Sequence, residues 1–236
     1  MSALNIQNLH FNYENNLILK DLNLIIKPEE KVGLIGSNGC GKTTLFLTIC
    51  GILAPQKGLI TVFNKKINQG KFYPNIGFVF QNPNDQLFCP TVRDDIIFGA
   101  ENLGLSPTEI QQRLSSVLEA TGVAHLQDRV SHQLSGGEKC MVAIASILIM
   151  QPKLILYDEP SANLDLKARR RLINFLQSSL ETLMISSHDL EMIREVCNRV
   201  ILLNNGQIIA DGYPDEIMSN EELMAENCLE VPASLC

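Results

Sequence analysis

Apolar positions along the chain follow two periods, and the places where the period changes divide it into elements. The stretch "LNIQNLHF" reads as a strand, and Leu22, Leu24 and Ile26 alternate with polar residues as in a half-buried second one, ending at a turn marked by Pro28. "KVGLIG" is a third strand running into a glycine-rich loop. "KTTLFLTICGIL" then reads as a buried helix stopping before Pro55, followed by the short strands "GLITVF" and "IGFVFQ". From about Asn82 to Met150 the period becomes helical. Thr91 with Asp94 caps one helix. Ser106, Pro107 and Glu109 supply cap, first-turn proline and box acid for another, which places Ile110, Leu114, Val117 and Leu118 on one face and ends at Gly122. The β/α alternation then resumes with "KLILYD", a helix after Asp165, "TLMISS", a helix from Asp189, and "RVILLNNGQIIADG" as a hairpin around Asn205 and Gly206. The pattern predicts an α/β fold: a nucleotide-binding core interrupted by a helical insertion.

Composition narrows the class. The chain has 236 residues, 45% hydrophobic and 19% charged, ordinary for a soluble globular domain with a sizeable core. Its longest apolar run, "MVAIASILIM", falls short of the roughly 18 residues a membrane span needs. The start "MSALNIQNLHF" has no basic region followed by an apolar core, so no export signal is expected and the protein is placed in the cytoplasm. A net charge of −7 argues against a sequence-independent nucleic-acid binder. Lys167, Arg169, Arg170 and Arg171 form a basic cluster, expected to be a solvated helix face. Cys40, Cys50, Cys89, Cys140, Cys197, Cys228 and Cys236 form no CxxC pair, which fits free thiols in a reducing compartment. The four histidines are scattered, so no histidine metal site is expected.

Three motifs carry chemistry. Gly36, Ser37, Asn38, Gly39, Cys40, Gly41, Lys42 and Thr43 match G-x-x-x-x-G-K-[ST], followed by Thr44. Loop N–H groups and the positive end of the following helix would enclose phosphate oxygens. Lys42 would reach the β and γ phosphates, and the Thr43 hydroxyl would bind Mg²⁺. "LILYDEP" is a buried strand ending in Asp158, placed to hold Mg²⁺, and Glu159, placed to orient or deprotonate an attacking water. In "QLSGGEKCMVAIA", Ser135 and Glu138 have the spacing of a capping box, so Gly136 and Gly137 open a helix whose bare N–H groups face an anion. One small chain thus carries two phosphate motifs.

The order "GSNGCGKT", Gln81, "LSGGE", "LILYDEP", "SANLD" and "SSHD" resembles, over nearly the whole chain, the ATP-binding subunit of an ABC transporter. The resemblance implies a P-loop (RecA-like) core with an N-terminal antiparallel β-subdomain and an inserted helical subdomain. On this reading 1–236 is a single domain, with 1–81 and 152–215 as the core, 82–151 as the helical signature subdomain and 216–236 as a C-terminal tail. It further implies two ATP molecules sandwiched in a head-to-tail dimer, so the two phosphate motifs would serve different ATP molecules. By position, Tyr13 resembles the aromatic that stacks on adenine. Gln81 resembles the residue that senses γ-phosphate, water and Mg²⁺ and borders the membrane partner's groove. His188 resembles the switch histidine, and Asp165 the acid that crosses the interface. Ser135, Gly136 and Gly137 would touch the opposite nucleotide.

"FQNPNDQLFCPTV" is similar to the segment typical of energy-coupling factor ATPases, while "DEPSANLDLKARRRLI" and "CLEVPASL" lean toward cobalt/nickel importers. Vitamin uptake is the alternative within that class. The implied cofactors are ATP and Mg²⁺. The implied partners are a second ATPase subunit, identical or related, and integral membrane energy-coupling and substrate-binding subunits at the cytoplasmic face, with no nucleic acid. An ABC-type ATPase acting on DNA or ribosomes is disfavoured by the lack of room for coiled-coil arms or a second cassette. A GTP switch is disfavoured because "NKKI" lacks the acid of N-K-x-D. Two departures stand out. Cys140 and Met141 replace a usual basic residue, and Cys40 sits at a helix N-terminus, where a thiolate is favoured, although a harmless small filler is the expected role.

Overall fold

The computed structural model describes residues 2–235, so Cys236 lies outside the described residues. In chain order the elements are β1 (Leu4–Tyr13), β2 (Asn16–Ile26), β3 (Lys31–Ile35), α1 (Lys42–Ile49), β4 (Lys57–Val62), β5 (Lys65–Lys66), β6 (Ile76–Val79), α2 (Val92–Asn102), α3 (Pro107–Thr121) and α4 (Gly136–Leu148). They continue with β7 (Leu154–Asp158), α5 (Leu166–Ser178), β8 (Thr182–Ser186), α6 (Leu190–Val196), β9 (Arg199–Asn204), β10 (Gln207–Gly212), α7 (Pro214–Met218) and α8 (Glu221–Glu226).

Two sheets share one core. The first has order β2-β1-β4-β5, and its pairings are antiparallel. A register shift in β1 falls at Asn8, whose φ is 47°. That one-residue bulge keeps Leu9 and Phe11 on the face already occupied by Leu4 and Ile6, so all four are buried despite the broken alternation. The second sheet has order β10-β9-β3-β8-β7-β6, parallel from β9 to β6 with β10 as an antiparallel edge. Its strands alternate between two apolar clusters. Leu154, Leu156, Ile201 and Leu203 face α1 and the first sheet, while Ile155, Tyr157, Val200 and Leu202 face the helical layer formed by the insertion together with α5, α6 and α7.

Capping chemistry sets the helix ends that matter for the site. Thr91 caps α2 by accepting from Asp94 N, and Ser106 caps α3 by accepting from Glu109 N. The Glu109 carboxylate does not complete the expected box. It reaches forward one turn to Arg113 at 2.8 Å instead. The helix expected to run to Pro55 ends at Ile49, because Gly51 turns left-handed (φ 73°) and the Gly51 and Ile52 amides fold back onto Thr48 and Leu47 carbonyls. The basic cluster is not a free solvated face. Arg169 forks onto Asp189, Arg170 pairs with Glu195, and Arg171 donates to the Thr121 carbonyl, so three arginines of α5 tie it to α6 and to the end of α3. Residues from Pro214 onward fold back on the core: Met218 and Met224 are fully buried, and Ser234 donates to Glu191.

Candidate active site

Parallel strands β3, β7 and β8 end side by side, so the loops that follow them converge. β3 delivers the glycine-rich loop, β7 delivers Asp158 and Glu159, and β8 delivers Ser186 and then His188. This is the carboxyl edge of an open α/β sheet, where such folds place their ligands. Thr43, in the first turn of α1, donates its hydroxyl to Asp158 Oδ2 at 2.7 Å. Ser186 donates to Asp158 Oδ1 at 2.6 Å, so both carboxylate oxygens are fixed. A serine hydroxyl and a carboxylate on adjacent strands are hard oxygen donors, and with Thr43 they fit a small hard cation such as Mg²⁺.

Lys42 is buried under the loop, and its ammonium donates to the Gly36 and Ser37 carbonyls at 2.8 and 3.3 Å. It also lies 3.8 Å from Glu159 Oε1 and 3.4 Å from His188 Nε2. Glu159 takes a left-handed backbone (φ 48°), a conformation costing a non-glycine residue about 1–3 kcal/mol, so surrounding bonds must hold it there. They do: its N–H meets Ser186 at both the carbonyl and the hydroxyl, and its Oε2 accepts from His188 N at 3.0 Å. Glu159 Oε1 is buried without a hydrogen-bond partner among the described residues. Such a carboxylate oxygen has capacity for a proton donor such as water. His188 Nε2 lies 2.7 Å from Asn38 Oδ1 and 3.4 Å from Glu159 Oε1.

A cleft of about 310 Å³ joins these groups, lined by Tyr13, Asn38, Gly39, Gly41, Lys42, Thr43, Thr44, Gln81, Asp158 and Glu159. Tyr13 stands half exposed at the end of β1, in a T-shaped pair with Phe11 at 4.8 Å between ring centroids. Ser135, Gly136, Gly137 and Asp165 are not in this cleft. A second cleft, also of about 310 Å³, holds Gly136, Lys139, Asn163 and Leu164 together with Gln81, which borders both. Ser135 and Glu138 form the complete capping box, and hydrogen bonds from the Ser135 N–H and hydroxyl hold the Glu138 carboxyl below its ordinary range. A Cβ on Gly136 would stand an ordinary 3.8 Å from the Asn163 carbonyl oxygen, but a Cβ on Gly137 would stand 2.5 Å from Ala168 Cβ, so Gly137 lets α4 approach α5. Asp165 caps α5 by accepting from Ala168 N at 2.7 Å.

One cysteine expectation changes. Burial pushes the Cys40 thiol up, against the opposing pull of Lys42, so the thiolate expected at this helix start is disfavoured. Cys140 and Met141 are buried in the helical core, and Cys140 lies against the Pro160 carbonyl with its thiol pushed up to about 12 by burial. A basic head at either position would have to be buried or bent out.

Ser186 and the Asn38–His188 contact were not evident from spacing. The signal for Ser186 was a hydroxyl residue ending the strand beside the acidic one. Gln86 was also missed: it joins the Gln81 loop to α4, and only its place in a polar loop marked it.

The ABC transporter family model matches residues 19–162. A Synechocystis relative described as an ABC transporter ATP-binding protein is 52% identical, over 99% of this chain and 82% of its own length. EcfA of Methanothermobacter thermautotrophicus, an energy-coupling factor transporter ATP-binding protein, is 41% identical over 96% of this chain and 76% of its own length. The structure of cbiO1 from Clostridium perfringens, part of the ABC transporter complex cbiONQ, matches with a TM-score of 0.85 at 36% identity, covering 95% of this chain and 94% of that one.

Proposed function

The chain belongs to the ABC transporter family as an ATP-binding, ATP-hydrolysing subunit, and from that premise we propose that it powers an importer of the energy-coupling factor type. The observation that carries the ATP chemistry is the convergence of Lys42, Thr43, Asp158 and Glu159 on one cleft, with His188 bonded to Asn38 and Glu159 beside it, and with Gly136 opening onto another. Tyr13 stacks on adenine, the loop from Gly36 to Thr44 encloses the phosphates, and Lys42 leaves its loop carbonyls for the β and γ phosphates. Thr43, Asp158 and Gln81 would hold Mg²⁺, which would supply positive charge to the phosphates. Glu159 takes the proton of the attacking water through Oε1, and His188 and Gln81 orient the γ-phosphate and the water.

In the head-to-tail pair, Ser135, Gly136, Gly137 and Asp165 of each subunit reach the nucleotide held by the other. ATP then gains contacts from both subunits only when they close, and that difference in affinity drives closure. No described helix is long and apolar enough to cross a membrane. On this proposal, integral membrane energy-coupling and substrate-binding subunits carry the transport path. The exposed edge-to-face pair Phe88 and Phe98, from the loop that follows Gln81 and from α2, provides an apolar surface to meet them. Cobalt or nickel ions are the proposed cargo, supported by "DEPSANLDLKARRRLI" and "CLEVPASL".

Capture of tagged Glu159→Gln chain from its own cells in mild detergent, with ATP and then with ADP, tests the reading. Small polytopic membrane proteins are expected among the retained partners. Ribosomal or DNA-associated partners without them would overturn it.

A further inference from the structure

The loop between β6 and α2 carries Gln81 at its start, and one side chain stitches it to the helical insertion. Gln86, half-buried, accepts from Phe80 N at 3.2 Å through Oε1. Its Nε2 donates to the Ala143 carbonyl at 2.7 Å and to Ser146 Oγ at 3.0 Å. Both amide protons and the carbonyl are therefore used, one end on the residue before Gln81 and the other in the middle of α4. Lys139 adds a tie from the first turn of α4 to Asn84 at 2.8 Å. The far end of the same loop is held separately. Buried Asp95 accepts from Phe88 N and Cys89 N and from the Ser131 hydroxyl, just upstream of Ser135.

The direction of these bonds separates a strap from a loop brace. A brace would join the loop to itself, whereas Gln86 joins the end of a core strand to a continuous helix. α4 transmits displacement along its axis, and its mid-point at Ala143 is about 12 Å from Ser135 at 1.5 Å per residue. We infer that Gln86 is a positioning residue that straps the Gln81 loop to α4, so that a shift of Gln81 toward a γ-phosphate carries Ser135 and Gly136 with it. The inference rests on the ATP reading above. Neither Gln86 nor Ser146 touches the nucleotide cleft, so the strap acts through Gln81 and not on ATP.

Amide hydrogen exchange on the full chain, with and without MgATP, tests it. MgATP is expected to slow exchange at 36–44 and at 133–142 in the unmodified protein. In Gln86→Met, and in Gln86→Glu as a second variant lacking the Nε2 donor, protection at 36–44 stays within about twofold while the response at 133–142 falls roughly tenfold, the weight of one or two hydrogen bonds. Retained protection at 36–44 also shows that each variant is folded. In turnover the same variants lower kcat and leave KM for ATP within about twofold. A response at 133–142 equal to that of the unmodified chain would overturn the strap while leaving the ATP reading intact. An unmodified chain that MgATP leaves unprotected at 36–44 overturns the ATP reading, and the strap with it.

Discussion

The Thr43 hydroxyl donates to Asp158 Oδ2 at 2.7 Å, joining the start of α1 to the end of β7 across 115 positions of sequence. Because Ser186 occupies the other carboxylate oxygen, Asp158→Asn keeps the shape and removes the charge. It is expected to weaken Mg²⁺-dependent ATP binding about 10–100-fold, as for a residue ordering a metal's surroundings. Titration of ATP affinity against Mg²⁺ checks this, and an unchanged Mg²⁺ dependence would count against the assignment.

Lys42→Ala removes the buried ammonium that the loop carbonyls now hold. Measured by equilibrium binding, ATP affinity is expected to fall about 30- to 5,000-fold, the loss of a charged contact of about 2–5 kcal/mol. Retained affinity would count against the cradle.

Glu159→Gln keeps the side-chain size and leaves an acceptor for His188 N, so ATP binding should persist. Hydrolysis should slow by about 10²–10⁴, the range for loss of a general base. Single-turnover assays with radiolabelled ATP measure it, and normal turnover would remove Glu159 from this role.

Burial raises the Cys40 pKa, so at neutral pH it holds less thiolate than an ordinary cysteine, the reverse of the expectation from its helix N-terminus. Below the raised pKa, its alkylation rate should climb about tenfold per pH unit, with exposed Cys228 reacting first. Cys40 Sγ packs within 2.8 Å of a Cβ position on Gly36, so a stoichiometric adduct should block ATP binding. Peptide mass mapping across pH 7–9 followed by ATP titration tests both. Fast modification at pH 7, or full affinity after modification, would contradict them.

Gly136 and Gly137 separate packing from nucleotide contact. Gly137→Ala presses on Ala168 and should destabilise the fold by about 1–3 kcal/mol. A Cβ on Gly136 meets only the Asn163 carbonyl oxygen, at an ordinary 3.8 Å, so Gly136→Ala should leave stability within about 0.5 kcal/mol while weakening ATP-driven closure. Denaturant melts and nucleotide-dependent mass measurements distinguish the two. Equal melting midpoints for both variants would refute the packing assignment.

Motifs fixed by local chemistry were legible in the chain. The glycine-rich loop, the acid pair ending an apolar strand and the Ser135–Glu138 box each depend on residues a few positions apart, and each lies where its spacing predicts. What depended on distant partners was not. Glu109 could have boxed Ser106, but Arg113 one turn on offered a full charge. Arg169 and Arg170 looked solvated because Asp189 and Glu195 lie on another helix. Cys40 looked activated because a helix start is visible in sequence and desolvation is not. Ser186 and Gln86 became visible only when adjacent strands and the insertion were brought together.

The central claim is that the two phosphate motifs of one subunit serve two different ATP molecules. Native mass spectrometry of the Glu159→Gln protein, captured from its own cells in MgATP, tests it most directly. A particle with two ATPase subunits, identical or related, and two ATP is expected, coming apart when ADP replaces ATP. A particle with one ATPase subunit and one bound ATP would contradict it.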